Sequence, residues 1–263
     1  MKMLLLAASV LALSVGSAQA QDLGNVDQMF LNVQTVHNTL KNSFSNEKIR
    51  QSASNMANAV AAEGAYLGNI IQSTDLPGDF NGQTAFNKAV TDGSWANLGQ
   101  TATNTVNVAL ASDALSVSQT SGAFQDAKNL VTFGKSFNPN GVAGPDFDQS
   151  ARNVANIISL DSAVGDLTQT LDPTWQAASN RMIYTGGELG RYDGAITKVG
   201  QEAQNTANVA VMGSFEFTQL MQTSGAAQTA TNLIQTNGVL KNINQVGANL
   251  TNVLTKTPAP SAP

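Results

Sequence analysis

The sequence predicts an all-β fold, a β-solenoid-like stack of about ten strand–turn–strand rungs. A five-residue phrase, Gln-x-Ala-x-Asn, recurs eight times along the chain. Polar and apolar residues alternate after each copy, which is typical of a half-buried strand. Charged residues make up 12% of the chain and aromatic residues 6%, so small and amide side chains replace those of a large apolar core. These observations together favour an array in which identical side chains stack on one another.

The N-terminus has the pattern of a secretory signal peptide, which we assign to residues 1–20. Lys2 supplies positive charge, residues 3–15 are apolar, and Ala18-Gln19-Ala20 forms a small-x-small cleavage site. The apolar run is too short for a membrane-spanning helix. We therefore expect a secreted protein without a membrane span, which passes through the periplasm to the cell surface or the extracellular space.

A short N-terminal segment, residues 21–33, precedes the repeat array, which we assign to residues 34–256. A Pro-rich tail, residues 257–263, follows the array and is expected to be disordered. Each strict copy of the phrase contributes one Gln and one Asn to a set of sixteen candidate ladder residues. They are Gln51, Asn55, Gln83, Asn87, Gln100, Asn104, Gln125, Asn129, Gln149, Asn153, Gln176, Asn180, Gln201, Asn205, Gln228 and Asn232.

The spacing of the copies defines a longer unit. Alternate copies recur at intervals of about 50 residues, so the unit has two similar halves of about 25 residues. In every second copy another Asn follows the Gln after seven positions, and another Gln follows it after 19 to 21 positions. Two looser copies, with Val36 and Gly247 in the place of Ala, begin at Gln34 and Gln245.

Strand geometry explains the pattern within each unit. From Gln149, one face of a strand carries Ala151, Asn153, Ala155 and Ile157, while Asn156 falls on the opposite face. A second apolar stretch follows each turn, so the units have the form strand, turn, strand. A helical repeat remains an alternative, because Gln at i with Asn at i+4 and i+7 also lines one helix face. The weak helix formers of most units disfavour it.

Stacked amide side chains account for the recurrence of both Gln and Asn. Each amide can donate to the same residue one rung away and accept from the rung on the other side, at the strand spacing of ~4.8 Å. A buried amide without a partner costs about 1–3 kcal/mol, and repetition supplies the partner. Ten successive rungs would form a body roughly 50 Å long. In a helical repeat the same residues would instead cap turns.

The phrase resembles the repeats of curlins, the secreted bacterial subunits of curli, which also carry internal Gln and Asn in strand–turn–strand units. The Ala- and Asn-rich units are also similar to the fibre subunits of the Fap amyloid system. The resemblance covers roughly residues 34–254. It implies a β-solenoid that polymerises into an extracellular fibre, a bacterial functional amyloid.

Charge and motif content argue against several other functions. Without Lys2 the chain has 13 − 1 = 12 basic and 18 acidic residues, a net charge of −6, which disfavours nucleic acid as a partner. His37 is the only His, and the chain has no nucleophile elbow and no phosphate-binding Gly loop. Two acidic pairs could bind calcium from loops, but neither has the sequence pattern of a known calcium-binding loop. They are Asp75 with Asp79 and Asp146 with Asp148.

We therefore expect a structural subunit of an extracellular fibre or biofilm matrix, with no enzymatic activity, cofactor or metal. Its partner would be another copy of the same chain, and a nucleator or a secretion channel is a further candidate. Two other functions stay open. The chain could be a non-polymerising surface adhesin or repeat binding module, or an exported helical-repeat protein.

Overall fold

The fold was analysed in a computed structural model, in which residues 24–42, 46–74, 81–91, 95–133, 147–172, 175–184, 196–235 and 240–256 are described. The predicted signal peptide and the Pro-rich tail lie outside these residues. The described residues form eleven β-strands and no helix. The strands are β1 (Val26–Met29), β2 (Val33–Asn42), β3 (Asn46–Ser73), β4 (Gly82–Thr91), β5 (Trp95–Ser121), β6 (Phe124–Phe133), β7 (Phe147–Leu171), β8 (Trp175–Tyr184), β9 (Ile196–Ser224), β10 (Ala227–Gln235) and β11 (Leu240–Lys256).

The strands belong to two sheets in which neighbours run parallel. One sheet has the order β1-β3-β5-β7-β9-β11 and the other has the order β2-β4-β6-β8-β10. A long strand followed by a short strand makes one coil, and the next coil stacks on it in register. Four complete coils lie between two partial ones, which are β1 with β2 at one end and β11 at the other. The all-β, β-solenoid-like fold is therefore confirmed, and the helical alternative is excluded for these residues.

The register shows how the ten copies of the phrase are distributed. Gln51 lies beside Gln100, and Gln34 lies beside Gln83, so alternate copies stack rather than successive ones. The ten copies, one for each predicted rung, are thus arranged in two columns of five, one along the long strands and one along the short strands. Five layers span roughly 20 Å at the strand spacing of ~4.8 Å, which corrects the roughly 50 Å expected for ten successive rungs.

Each long strand consists of two halves joined by a turn. The turn is marked by register shifts such as the one between Ala62 and Tyr66. The halves face each other across a core, because Gln119 in the second half of β5 donates to the Asn107 carbonyl in the first half at 2.9 Å. We call the segments before and after the turn the first half and the second half of the long strand.

A left-handed Asn interrupts the alternation within the first half. Asn58, Asn107, Asn156, Asn208 and Asn252 have φ between 51° and 55°. Asn tolerates this conformation better than most residues. The adjacent residues Val106 and Asn107 are both 0% exposed, so the inward face changes from even to odd positions there. The prediction that Asn156 faces away from the core is therefore wrong, and so is the inward placement of Ile157, which is only partly buried.

The core has two compartments. Larger apolar side chains, including Leu67, Ile70 and Ile158, fill the space between the two halves of the long strands. The first halves pack against the short strands through a row of buried Ala residues at the centre of the phrase. These are Ala53, Ala85, Ala102, Ala127, Ala151, Ala178 and Ala203. The small Ala side chain lets the two layers approach closely enough for the flanking amides to cross between them.

The array begins earlier than the sequence suggests. Strand β1 lies in the N-terminal segment and pairs with the second half of β3, with Gln28 beside Gln72. The stack therefore reaches back to Val26, whereas the phrase itself begins at Gln34.

Candidate functional site: amide ladders and open ends

The Gln residues of the first halves form a continuous ladder. Gln100 Nε2 donates to Gln51 Oε1 at 2.8 Å, and Gln149 Nε2 donates to Gln100 Oε1 at 2.8 Å. Gln201 and Gln245 continue the series with distances of 2.7 and 2.6 Å. Every step donates toward the N-terminal end of the stack.

The Asn residues four positions later form a ladder of opposite direction. Asn55 Nδ2 donates to Asn104 Oδ1 at 2.9 Å, and Asn104 donates in the same way to Asn153 at 2.9 Å. Asn205 and Asn249 extend the series at 2.9 and 2.8 Å. Here every step donates toward the C-terminal end, so the two ladders on one strand are antiparallel.

The short strands repeat this arrangement. Their Gln ladder runs from Gln228 to Gln34, with each Nε2 donating to the preceding Oε1. Their Asn ladder runs from Asn38 to Asn232, with each Nδ2 donating to the following Oδ1. All sixteen candidate residues thus lie in ladders, and so do the Gln and Asn residues of the two looser copies.

Two further ladders were not predicted as such. The left-handed Asn residues form one, which runs from Asn58 to Asn252. The second halves supply the other, in which Gln222, Gln169, Gln119 and Gln72 donate in turn down to Gln28. In the sequence these two ladders are indicated by the Asn seven positions after the Gln of every second phrase, and by the second Gln 19 to 21 positions after it. Six ladders of five residues each therefore run along the stack.

Most interior amides send their second N–H across the core to a backbone carbonyl. Asn153 Nδ2 donates to the Ala177 carbonyl of the short strand at 2.8 Å. Gln125 Nε2 donates in the other direction, to the Val154 carbonyl at 3.0 Å. Because a buried donor without a partner is costly, these bonds tie each layer both to its neighbours and to the facing layer. The interior amides therefore form a structural network.

Acidic and His side chains are not gathered into a metal-binding cluster in the described part of the chain. No group of three or more His, Asp or Glu residues there could hold a metal ion. His37 packs edge-on against Phe86, with ring centroids 5.5 Å apart. Asp148 is exposed. The other three acids considered for calcium, at positions 75, 79 and 146, lie outside the described residues.

Two ion pairs are present among the described residues. Arg152 Nη2 lies 2.6 Å from Glu202 Oε2, which joins neighbouring coils, and Lys128 pairs with Asp126 on one strand. Arg152 and Glu202 are both partly exposed, so their pair contributes little to stability, whereas Asp126 is 7% exposed and only its partner Lys128 is open to solvent.

The two ends of the stack leave the ladders open. At the C-terminal end, Gln245 and Asn249 are exposed, whereas Gln201 and Asn205, one coil below, are 2% and 0% exposed. At the N-terminal end, an open depression of about 790 Å³ is lined by residues 37–40 and 49–52. At this end Gln51 is partly buried and Asn55 is 5% exposed, so the ladders of the long strands open more fully at the C-terminal end.

Comparisons with protein-family models, curated proteins and solved structures give no match. Across the described ranges, no helix is both long and apolar enough to cross a membrane.

Proposed function

We propose that the protein is a secreted structural subunit of an extracellular fibre or biofilm matrix, which assembles by stacking the coils of one copy on those of the next. The observation that carries this proposal is the pair of open ends. Among the described residues, no strand pairs with the outer edge of β2 or with the outer edge of β11. An unpaired strand edge is a template for another chain.

Edge growth is the physical mechanism. A second copy docked on an open end would extend the parallel sheets and the amide ladders at the same spacing, as in cross-β assemblies. Natural proteins protect edges with charges, Pro or bulges. The sequence of β10, AQTATNLIQ, contains no charged residue and no Pro, and in β11 the two charged residues, Lys241 and Lys256, lie at the ends of the strand. The end therefore favours addition of a matching strand.

Export and partner choice belong to the same proposal. The predicted signal peptide directs the chain out of the cytoplasm. The net charge of −6 after its removal, from 12 basic and 18 acidic residues, makes nucleic acid an unsuitable partner. A nucleator or secretion channel would be needed only to start and to place the fibre.

Seeded elongation tests the proposal. Purified protein beginning at Gln21 should show Thioflavin fluorescence that rises with time, and the rise should be faster after addition of preformed fibre fragments. Electron microscopy should show unbranched fibres. A chain that stays monomeric at high concentration for days, with the same β-rich circular dichroism spectrum, would instead be a non-polymerising adhesin or binding module.

A further inference from the structure

The two ends of the stack are incomplete in complementary ways. At the N-terminal end, β1 and β2 supply the second half and the short strand of a coil. At the C-terminal end, β11 supplies the first half of a coil. Within the described residues, the two partial coils therefore add up to one complete coil, and each of the three columns of the stack contains five strands.

The division between the two partial coils falls at the turn of the long strand. Lys256, the last residue of β11, is in register with Met212. Met212 is in register with Leu160, Leu160 with Ala111, and Ala111 with Ala62. Ala62 is the last residue before the turn of β3. Val26, the first residue of β1, is in register with Ile70, just after that turn. The partial coils thus stop and start on either side of the outer turn, where chain ends can leave the stack.

We propose that β11 of one copy and β1 with β2 of the next copy share a single coil, so that subunits join head to tail in a lap joint. This inference rests on the proposed fibre function and specifies its interface. By the lap joint we mean the arrangement in which β2 of the second copy lies on β10 of the first. In the same arrangement, the first half of β3 of the second copy lies on β11 of the first.

The direction of the Gln ladders suits this joint. At the C-terminal end Gln222, Gln228 and Gln245 each present an Oε1 that accepts no hydrogen bond from a described residue. At the N-terminal end the Nε2 groups of Gln28 and Gln34 each donate to one backbone carbonyl, at 3.1 and 3.3 Å, and keep a second N–H. Donors of the second copy therefore meet acceptors of the first.

The third Gln contact requires one exchange of partner. Gln51 Nε2 donates to the carbonyls of Asn38 and Lys88 at 3.4 and 3.2 Å. In the next coil, Gln100 uses one N–H for the preceding Gln and the other for a backbone carbonyl at 3.3 Å. Joining to Gln245 would give Gln51 the same pair of partners, in place of its long bond to Asn38.

The Asn ladders also match at the joint, but here the first copy supplies the donors and the second copy supplies the acceptors. At the C-terminal end Asn232 and Asn249 each use one N–H for a backbone carbonyl and have a second one to donate. At the N-terminal end the Oδ1 atoms of Asn38 and Asn55 accept no hydrogen bond from a described residue. Asn252 Nδ2 donates to no described residue and Asn58 Oδ1 accepts from none, so this pair can join in the same sense. All six ladders therefore continue through the joint with donors facing acceptors, which a head-to-head or tail-to-tail contact could not achieve.

The joint sets the rise per subunit. Five strands in every column correspond to roughly 24 Å at the ~4.8 Å spacing. If the partial coils met end on without sharing a coil, each subunit would occupy six layers and rise by roughly 29 Å. The difference is large enough to measure in fibre images.

Cysteine crosslinking tests the register directly, because the chain contains no Cys. In the lap joint Thr35 of one copy lies beside Thr229 of another, and Thr39 lies beside Leu233, as the register through the intervening strands requires. Neighbouring strands lie ~4.8 Å apart, within the Cα separation of about 4.4–6.8 Å that a disulfide needs. Within one copy the same residues are four strands apart, roughly 19 Å, so an intramolecular bond is excluded.

Fibres of the double variants Thr35→Cys with Thr229→Cys and Thr39→Cys with Leu233→Cys should give a series of covalent oligomers after mild oxidation. The offset pair, Thr35→Cys with Leu233→Cys, should give no more than the single variants, because its sites lie roughly 13 Å apart along the strand. Fibres in which the offset pair crosslinks as well as the matched pairs, or in which the matched pairs do not crosslink, would overturn the lap joint and leave the fibre function standing. A measured rise of six layers per subunit would also overturn the lap joint and leave the fibre function standing. Absence of fibres from the unmodified protein would remove both.

Discussion

Replacing Asn153 with Asp tests whether the amide ladders stabilise the fold. Asn153 is 0% exposed, and its Nδ2 donates to the Ala177 carbonyl at 2.8 Å and to Asn205 Oδ1 at 2.9 Å. A carboxylate in its place donates neither bond and sets a negative charge against two oxygen acceptors. Each buried acceptor that loses its donor costs about 1–3 kcal/mol, and burying the charge, which keeps only the hydrogen bond from Asn104 Nδ2, costs about 3–5 kcal/mol. The total is comparable with the whole stability of a typical domain, about 5–15 kcal/mol.

The destabilisation should depend on pH. Burial without a cation raises the pKa of the new carboxyl above its value in the unfolded chain, about 3.9. Stability of the variant is therefore greatest below that unfolded value and falls as pH rises through the higher folded value. Relative to the unmodified protein, the loss should be larger at neutral pH than at about pH 3, where the carboxyl is protonated in both states.

The assay is guanidinium unfolding of the monomeric protein, followed by far-ultraviolet circular dichroism. Thr101→Asp is the matched control, because Thr101 is exposed and lies between Ser52 and Ser150 in the register. It should change the free energy of unfolding by no more than about 0.5 kcal/mol. Asn156→Asp should be as damaging as Asn153→Asp, since Asn156 is also 0% exposed. A control as damaging as the two ladder variants would refute the reasoning.

Three further substitutions test the left-handed turn, the packing over Gly82 and the close approach of the two layers. Asn107→Gly and Asn107→Ala both remove the amide, but only Gly adopts φ 54° without steric cost. Asn107→Ala should therefore be less stable than Asn107→Gly by about 1–2 kcal/mol. Equal stabilities in the same unfolding assay would show that the left-handed turn carries no strain. Gly82→Ala would place a Cβ 2.1 Å from the Phe124 ring and should lower the unfolding midpoint. Gly99→Ala is the control and should not lower it, because the nearest atom to its Cβ would be 3.7 Å away. A similar loss of stability in both variants would argue against the close packing of Phe124 over Gly82. Ala127→Leu should cost about 1–3 kcal/mol by overpacking a 0% exposed site between the two layers, and a neutral result in thermal unfolding would mean that the layers can separate there.

The repeated phrase predicts much of this fold because each of its positions has one structural role. Gln100 and Asn104 each need an identical partner one layer away, so their recurrence reveals both the stacking and the inward face. The Ala between them records the close approach of the two layers, since Ala102 is 0% exposed. For these positions the sequence pattern and the structure agree, residue by residue.

The parts that sequence reasoning missed depend on backbone geometry. Alternation assumes an uninterrupted strand, and Asn107 breaks it by adopting φ 54°, which turns the next residues over. Asn is common in strands of this chain, so its identity alone does not mark the turn. Gln28 was missed because β1 is only four residues long and lacks the Ala and Asn of the phrase. The number of layers was overestimated because similarity between successive copies does not show which copies are neighbours.

The central claim is that copies of the phrase stack in alternation, so that each coil contains two of them. Ser54 and Thr103 hold the same position in alternate copies and are in register on β3 and β5. Lys128 holds that position in the copy that follows Thr103 along the chain, but it lies on β6 in the other sheet. Facing sheets are separated by about 10 Å, which exceeds the reach of a disulfide.

Oxidation of the monomeric double variants is the most direct measurement. The account predicts an intramolecular disulfide in Ser54→Cys with Thr103→Cys and none in Thr103→Cys with Lys128→Cys. A disulfide in the second variant and its absence from the first would show that successive copies stack, and would contradict the fold and the lap joint built on it.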